Sequence, residues 1–229
     1  MSDTIAAIST AQGAGGIGVI RISGKEAKEI ADRVFRSPTG KKLKETPGYT
    51  ARYGYVQEEG ETIDEVVALV FEGPKSYTGE DVVELSCHGG LYLTKRVLRA
   101  VLAAGAKAAG PGEFTRRAFL NGKLGLTEAE AVMDLISARG RQAARAALVG
   151  REGALHSRLE QVKESLISAA AHLSAWADYP EEDIPQVEHS ALEKTLEQAS
   201  DEMEGLLSRY DAGRAIRQGV DTVIAGRPN

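Results

Sequence analysis

Asp81-Val82-Val83-Glu84-Leu85-Ser86-Cys87, then His88-Gly89-Gly90 and a helix-forming segment over 91–104, sets the class of the first half of the chain. The opening run is short, rich in Val and bounded by turn residues, so it reads as a strand; the glycine pair punctuates it before the helix. Upstream, residues 49–57 and 63–71 read as two more strands around a charged turn at 58–61. Residues 37–48 carry Pro, Gly and Lys in a loop pattern. Further back, 4–9 and 17–22 read as short strands joined by Gly13-Ala14-Gly15-Gly16. Ser23 is the expected cap of a helix over 25–35, with Glu26 and Glu29 toward its positive end. This alternation predicts an α+β domain built on a mixed or antiparallel sheet.

After Pro111-Gly112 the character changes. A short helix is expected over 114–120, ended near Asn121-Gly122. Thr127 and Glu130 fit a capping box at the start of a new helix. From there to Trp176 the chain is rich in Ala, Leu, Glu, Arg and Gln, all good helix formers, with Gly140, Gly150 and Gly153 placed to bend or divide it. Residues 179–185 form a break carrying Glu181, Glu182 and Asp183. A further helix is expected over 190–210, where Leu192, Leu196, Ala199, Met203, Leu206 and Tyr210 make one apolar face. Such stripes need another helix, domain or subunit to cover them. The run 221–225, ahead of Gly226, reads as the first strand of a further α/β unit, because an isolated strand has no partner for its backbone groups. The chain is therefore expected to be a portion of a larger protein.

Composition narrows the function classes. The 229 residues are 42% hydrophobic and 27% charged, an ordinary globular balance that argues against disorder throughout. With 5% aromatic residues, the core has to rest on Leu, Val, Ile and Ala. One Cys excludes a disulfide framework and any cysteine-rich zinc or iron–sulfur site held by this chain alone, and four scattered His make a His-only site a poor reading. The formal charge of −5 excludes a general basic coat. It is uneven: residues 1–120 hold 16 basic and 15 acidic side chains, leaving 12 and 18 for the rest. No apolar run approaches the roughly 20 residues that cross a bilayer, and Met1-Ser2-Asp3 has no signal-peptide profile, so the expectation is a cytoplasmic protein without membrane attachment.

Several long stretches carry a resemblance. The opening 3–8 with Gly15-Gly16-Ile17-Gly18-Val19-Ile20-Arg21-Ile22-Ser23-Gly24, the run 76–85, His88-Gly89-Gly90, the run 111–124 and the tail Val223-Ile224-Ala225-Gly226-Arg227-Pro228-Asn229 resemble, in order, the tRNA-modifying GTPase family MnmE, also called TrmE. The resemblance implies a folate-binding and dimerisation domain over 1–120, similar to the tetrahydrofolate-binding domain of the glycine-cleavage aminomethyltransferase. It further implies the first half of a helical domain over 121–218, and at 219–229 the first strand and start of the phosphate loop of a GTPase domain. The intact family protein works with the flavoprotein MnmG (GidA) on the wobble uridine of certain tRNAs. Together they install an aminomethyl or carboxymethylaminomethyl group at carbon 5, with 5-formyl- or 5,10-methylene-tetrahydrofolate as the one-carbon source. Its GTP hydrolysis depends on potassium and magnesium.

By the family pattern Arg21, Glu84 and Lys123 match the folate-contacting arginine, glutamate and lysine. The chemistry suits them, since a carboxylate is a two-point acceptor for pterin N–H groups and the cations suit polar or charge contacts. Asn229 matches the potassium-coordinating asparagine of the complete GTPase domain. A phosphate loop also needs a Lys and a Ser/Thr, which the tail does not reach, so this chain alone is not expected to hydrolyse GTP. Gly125 departs from the pattern, standing where the family usually has Asp.

Other residues keep two readings. Gly15, Gly16 and Gly18 supply tight packing or approach to a ring. His88 is a candidate site residue at a strand end or a plain hydrogen-bonding group, and Cys87 beside it a neighbour of the pocket or core. Of Arg116 and Arg117, one faces a ligand or tRNA and the other makes an ordinary salt bridge. The rival functions are a folate-dependent aminomethyltransferase-like enzyme, a dimerisation scaffold without ligand, and a nucleic-acid module. The Ala-rich helices and the tail count against the first, and the acidic second half against the last.

Overall fold

The structure, a computed structural model, describes residues 3–151, 153–178, 188–208, 223 and 225–227. The chain divides into two compact units, Met1–Leu124 and Gly125–Asn229. The first is built on strands β1 (Ile5–Ile8), β2 (Ile17–Ser23), β3 (Phe35–Arg36), β4 (Thr50–Glu58), β5 (Glu61–Phe71), β6 (Val82–His88) and β7 (Lys107–Ala108). They form one sheet in the order β3-β4-β5-β6-β2-β1-β7. All neighbours are antiparallel except β1 and β7, so the sheet is mixed, as expected.

Strict alternation on the central strands decides what is covered. Ile20 and Ile22 on β2, Val83, Leu85 and Cys87 on β6, and Val66, Ala68 and Val70 on β5 point to one face and are buried. Helices α1 (Ala27–Val34) and α2 (Leu91–Ala103) cover that face, contributing Ile30, Ala31, Val34, Val97, Ala100 and Val101 to the same core. The opposite face carries Val19, Arg21, Leu69, Glu84 and Ser86, all half-buried, with Ile17, Val67 and His88 exposed. Helix α3 (Glu113–Leu120) follows β7.

Two sequence expectations for helix starts are corrected. Ser23 does not cap α1: it ends β2 and its hydroxyl bonds Thr78 (2.7 Å) and the Glu80 carboxylate (2.8 Å) instead. Glu26 occupies the N-cap position without a side-chain cap bond, and its own amide donates to Thr4 Oγ1. In the second unit α4 (Leu126–Ser137) starts at Gly125, where Glu128 reaches back to accept the Gly125 amide. Thr127 therefore lies inside the first turn, and its buried hydroxyl meets no partner among the described residues.

The Ala-rich segment is divided, one of the two outcomes expected of its glycines, into three helices: α4, α5 (Arg141–Arg151) and α6 (Ala154–Asp178). Gly140 falls between the first two and Gly153, at φ +76°, between α5 and α6, while Gly150 is absorbed into α5. Helix α7 (His189–Ser208) packs along α6. Of its expected apolar face Ala199 is buried, whereas Leu196 and Met203 stay exposed. Tyr210, the acidic stretch 181–183 and most of the expected strand over 221–225 lie outside the described residues; Val223 and Ala225 are described and are not in a strand.

Candidate functional site

The register of the sheet builds the site. Arg21 on β2 stands directly opposite Glu84 on β6, and Glu84 in turn opposite Leu69 on β5. Across that pair Arg21 Nε donates to Glu84 Oε1 at 2.7 Å, with the two side chains 27% and 21% exposed. The guanidinium carbon lies 5.4 Å from the centre of the Tyr77 ring and 5.5 Å from that of Phe114. A cation held between two aromatic rings and a carboxylate has its orientation fixed from three sides. Tyr77 is itself tied to α3, since its hydroxyl meets Oγ1 of Thr115, the residue after Phe114, at 2.9 Å.

Tyr77 belongs to the β5–β6 connection, residues 72–81, which is held on both flanks. Gly73 N donates to Asp81 Oδ1, Asn121 Nδ2 to the Thr78 carbonyl, and Ser76 Oγ to the Glu80 carbonyl. Beneath it Arg117, 9% exposed, pairs with Glu80 at 3.1 Å and with Glu113 at 3.0 Å. The Gly110 amide and then Arg117 hold the Glu113 carboxyl below the usual carboxylate range. Arg117 is thus the arginine that makes the salt bridge, and Arg116 is exposed. Lys123 reaches the same connection from the other end: its Nζ donates to the Pro74 carbonyl at 3.0 Å, and its stem lies where a side chain at Gly79 would project. Gly79 sits at φ +78°, which favours glycine at this turn. One connection therefore touches Arg21 through Tyr77 and Lys123 through Pro74.

His88 is not part of this group. It lies four residues from Glu84 on β6, so about 13 Å away at the usual strand rise. There it borders a shallow cavity of about 240 Å3 with Ile17, Tyr53, Glu65, Val67 and Ser86. Its ring Nδ1 lies 2.7 Å from Asp64 Oδ1, and its amide donates to Asp64 Oδ2 at 2.8 Å. The Asp64 side chain is 8% exposed, and its hydrogen bond and negative charge raise the His88 pKa above the ordinary value. Asp64 gave no sequence signal; it stands 24 residues from His88 in the chain and meets it only in the folded sheet. Cys87 belongs to the core. Its thiol donates to the Gly18 carbonyl, and burial, with the Asp64 charge, pushes its pKa up to about 11, so it stays a thiol at neutral pH.

Of the three nearby glycines, Gly18 packs most tightly, because a Cβ there would overlap Thr94 Cγ2 on α2; Gly15 and Gly16 meet no such contact. Asn229 lies outside the described residues. Among the described residues no cluster of His, Cys, Asp and Glu is placed to hold a metal ion, and no helix is long and apolar enough to cross a membrane.

Comparison with known proteins places this architecture. Residues 4–123 match the family model described as GTP-binding protein TrmE N-terminus, and residues 126–223 match the MnmE helical domain. The chain belongs to the MnmE family. The tRNA modification GTPase MnmE of Geobacillus thermodenitrificans is 47% identical over 99% of this chain, and that of Alkaliphilus metalliredigens 46% over 100%. The protein of the same name from Symbiobacterium thermophilum is 47% identical over 99% of the chain. In each case the match takes in 50% of the relative, so the chain spans about half the length of the curated MnmE proteins it matches. The boundary between the two family models falls at the boundary between the two compact units.

Proposed function

We propose that the first unit binds a reduced folate, 5-formyl- or 5,10-methylene-tetrahydrofolate, for C5 modification of the tRNA wobble uridine. The observation that carries the reading is the half-buried Arg21–Glu84 pair on the sheet face opposite α1 and α2, beside Tyr77 and Phe114. Glu84 accepts from Arg21 through one oxygen, and a pterin presents N–H donors suited to the other. The aromatic rings offer an apolar wall for a flat heterocycle. Lys123 holds the 72–81 connection and is exposed, so its ammonium is available to a ligand carboxylate. His88, about 13 Å farther along β6 than Glu84, makes no contact with the folate in this reading. The folate supplies a one-carbon unit when bound; the chain's own residues orient it and shield one face from water.

In this reading the first unit also forms a homodimer, and the complete protein acts with the flavoprotein MnmG on tRNA in the cytoplasm. GTP hydrolysis, with potassium and magnesium, belongs to a GTPase domain that starts within 219–229, where the sequence resembles the beginning of a phosphate loop, and to whose potassium site Asn229 contributes. The names of the relatives support the tRNA-modification and GTPase parts. The chain alone is expected to be inactive toward GTP. Isothermal titration of the chain with 5-formyl-tetrahydrofolate tests the ligand: saturable binding near one molecule per chain is expected, and no heat from a folded chain would refute it.

A further inference from the structure

Residues 36–44, Arg36-Ser37-Pro38-Thr39-Gly40-Lys41-Lys42-Leu43-Lys44, hold four basic side chains and no acid in a protein of net charge −5. All four cations are exposed, and among the described residues Lys41, Lys42 and Lys44 enter no ion pair, whereas Lys28, Lys107 and Lys163 each pair with an acid. The loop is nevertheless anchored. Leu43 is fully buried and its amide donates to Asp32 Oδ1 at 2.6 Å. The Thr46 hydroxyl donates to the Lys42 carbonyl, and Gly40 N closes a turn onto the Ser37 carbonyl. Arg36 Nη1 donates to the carbonyls of Asp32 and Phe35, which fixes its guanidinium beside a depression of about 400 Å3 lined also by Ser37, Gly40, Lys41, Lys42 and Asp32, whose carboxylate is taken up by the Leu43 amide.

We propose that this loop binds the phosphate backbone of a folded RNA, a surface that rests on the tRNA-modification reading above. Uncompensated lysines on an anchored base suit a chain of phosphates, because each one neutralised releases condensed counterions. A membrane surface fits less well, because the apolar residues nearby, Phe35 and Leu43, are buried and leave nothing to insert. Lysines also protect sheet edges, and β3 is an edge strand. Yet β3 ends at Arg36, and the three lysines lie beyond it, past the Ser37–Gly40 turn.

The test is the affinity of the full chain for a labelled tRNA transcript, measured by anisotropy across a series of KCl concentrations. Removing three phosphate contacts in Lys41→Gln/Lys42→Gln/Lys44→Gln should flatten the log–log salt slope by about 2 to 3 and weaken binding roughly 50- to 150-fold near 0.15 M salt. The arginine triple at the same positions should keep wild-type affinity. Lys25→Gln/Lys95→Gln/Lys194→Gln, with the same change in net charge, should bind within threefold of wild type. No RNA binding by the wild-type chain, an unaffected loop variant, or equal loss in loop and control variants would each overturn the assignment. The folate titration of the same proteins is independent of the loop, so retained folate binding would show that only the RNA surface had failed.

Discussion

Arg117→Met removes the cation on which the 72–81 connection rests. The guanidinium is almost wholly enclosed and serves two carboxylates, Glu80 at 3.1 and 3.2 Å and Glu113 at 3.0 Å. Breaking a buried pair from one side costs about 3–5 kcal/mol, because the partner charge stays behind. Here the loss is smaller: Glu80 keeps its bond from Ser23, and Glu113, 24% exposed, keeps the Gly110 amide. About 2–4 kcal/mol is expected, or roughly 8–15 °C in the melting of a unit this size. The melt is best followed through tyrosine, because Tyr49, Tyr53, Tyr55, Tyr77 and Tyr92 lie in the first unit. Adding Glu80→Gln should recover part of the loss, since the carboxylate that lost Arg117 is then neutral. A single variant melting within 2 °C of wild type would refute the claim that this network holds the connection in place.

Other consequences can be measured on the same protein. His88 should titrate by NMR above 6.5, and Asp64→Asn should bring it down; because the folded pKa is the raised one, the pair stabilises the fold below the ordinary histidine pKa and that contribution fades as pH climbs through the raised value. A His88 midpoint unmoved by Asp64→Asn would contradict the contact. Thr127→Val deletes a buried hydroxyl that has no partner among the described residues while keeping its shape, and should stabilise the second unit by about 1 kcal/mol in chemical denaturation; a net loss would mean the hydroxyl is bonded. Gly18→Ala drives a methyl group into Thr94 and should cost about 1–3 kcal/mol, part of which Thr94→Ser returns. An additive double variant would place the strain elsewhere.

What the sequence disclosed follows the range of its signals. Strands β2, β5 and β6 and helices α2 and α3 were legible within a residue or two because alternation and glycine punctuation are local. Strand β7 was not: Lys107 and Ala108 are a strand only because β1 lies beside them in parallel. The helix starts misled for a related reason. Ser23 and Thr127 have cap chemistry, but Ser23 is taken by Thr78 and Glu80 from distant sequence, and Glu128 caps α4 at Gly125, two residues ahead of the expected Thr127–Glu130 pair.

The candidate site divides in the same way. Arg21, Glu84 and Lys123 could be picked out through family motifs, yet that Arg21 and Glu84 pair with each other, 63 residues apart, is a property of strand register. Tyr77 and Phe114 stood inside quoted motifs with no local mark of stacking on Arg21. His88, grouped with the others from its strand-end position, separates once the rise along β6 is counted.

The central claim is that Glu84, paired to Arg21, recognises the pterin of a reduced folate. Calorimetric titration with 5-formyl-tetrahydrofolate, comparing wild type with Glu84→Ala, addresses it most directly. Losing hydrogen bonds to a charged acceptor is worth about 1.5–3 kcal/mol, so affinity should fall roughly 10- to 150-fold. Equal affinity in a folded Glu84→Ala protein would contradict the account and move the ligand away from the Arg21–Glu84 pair.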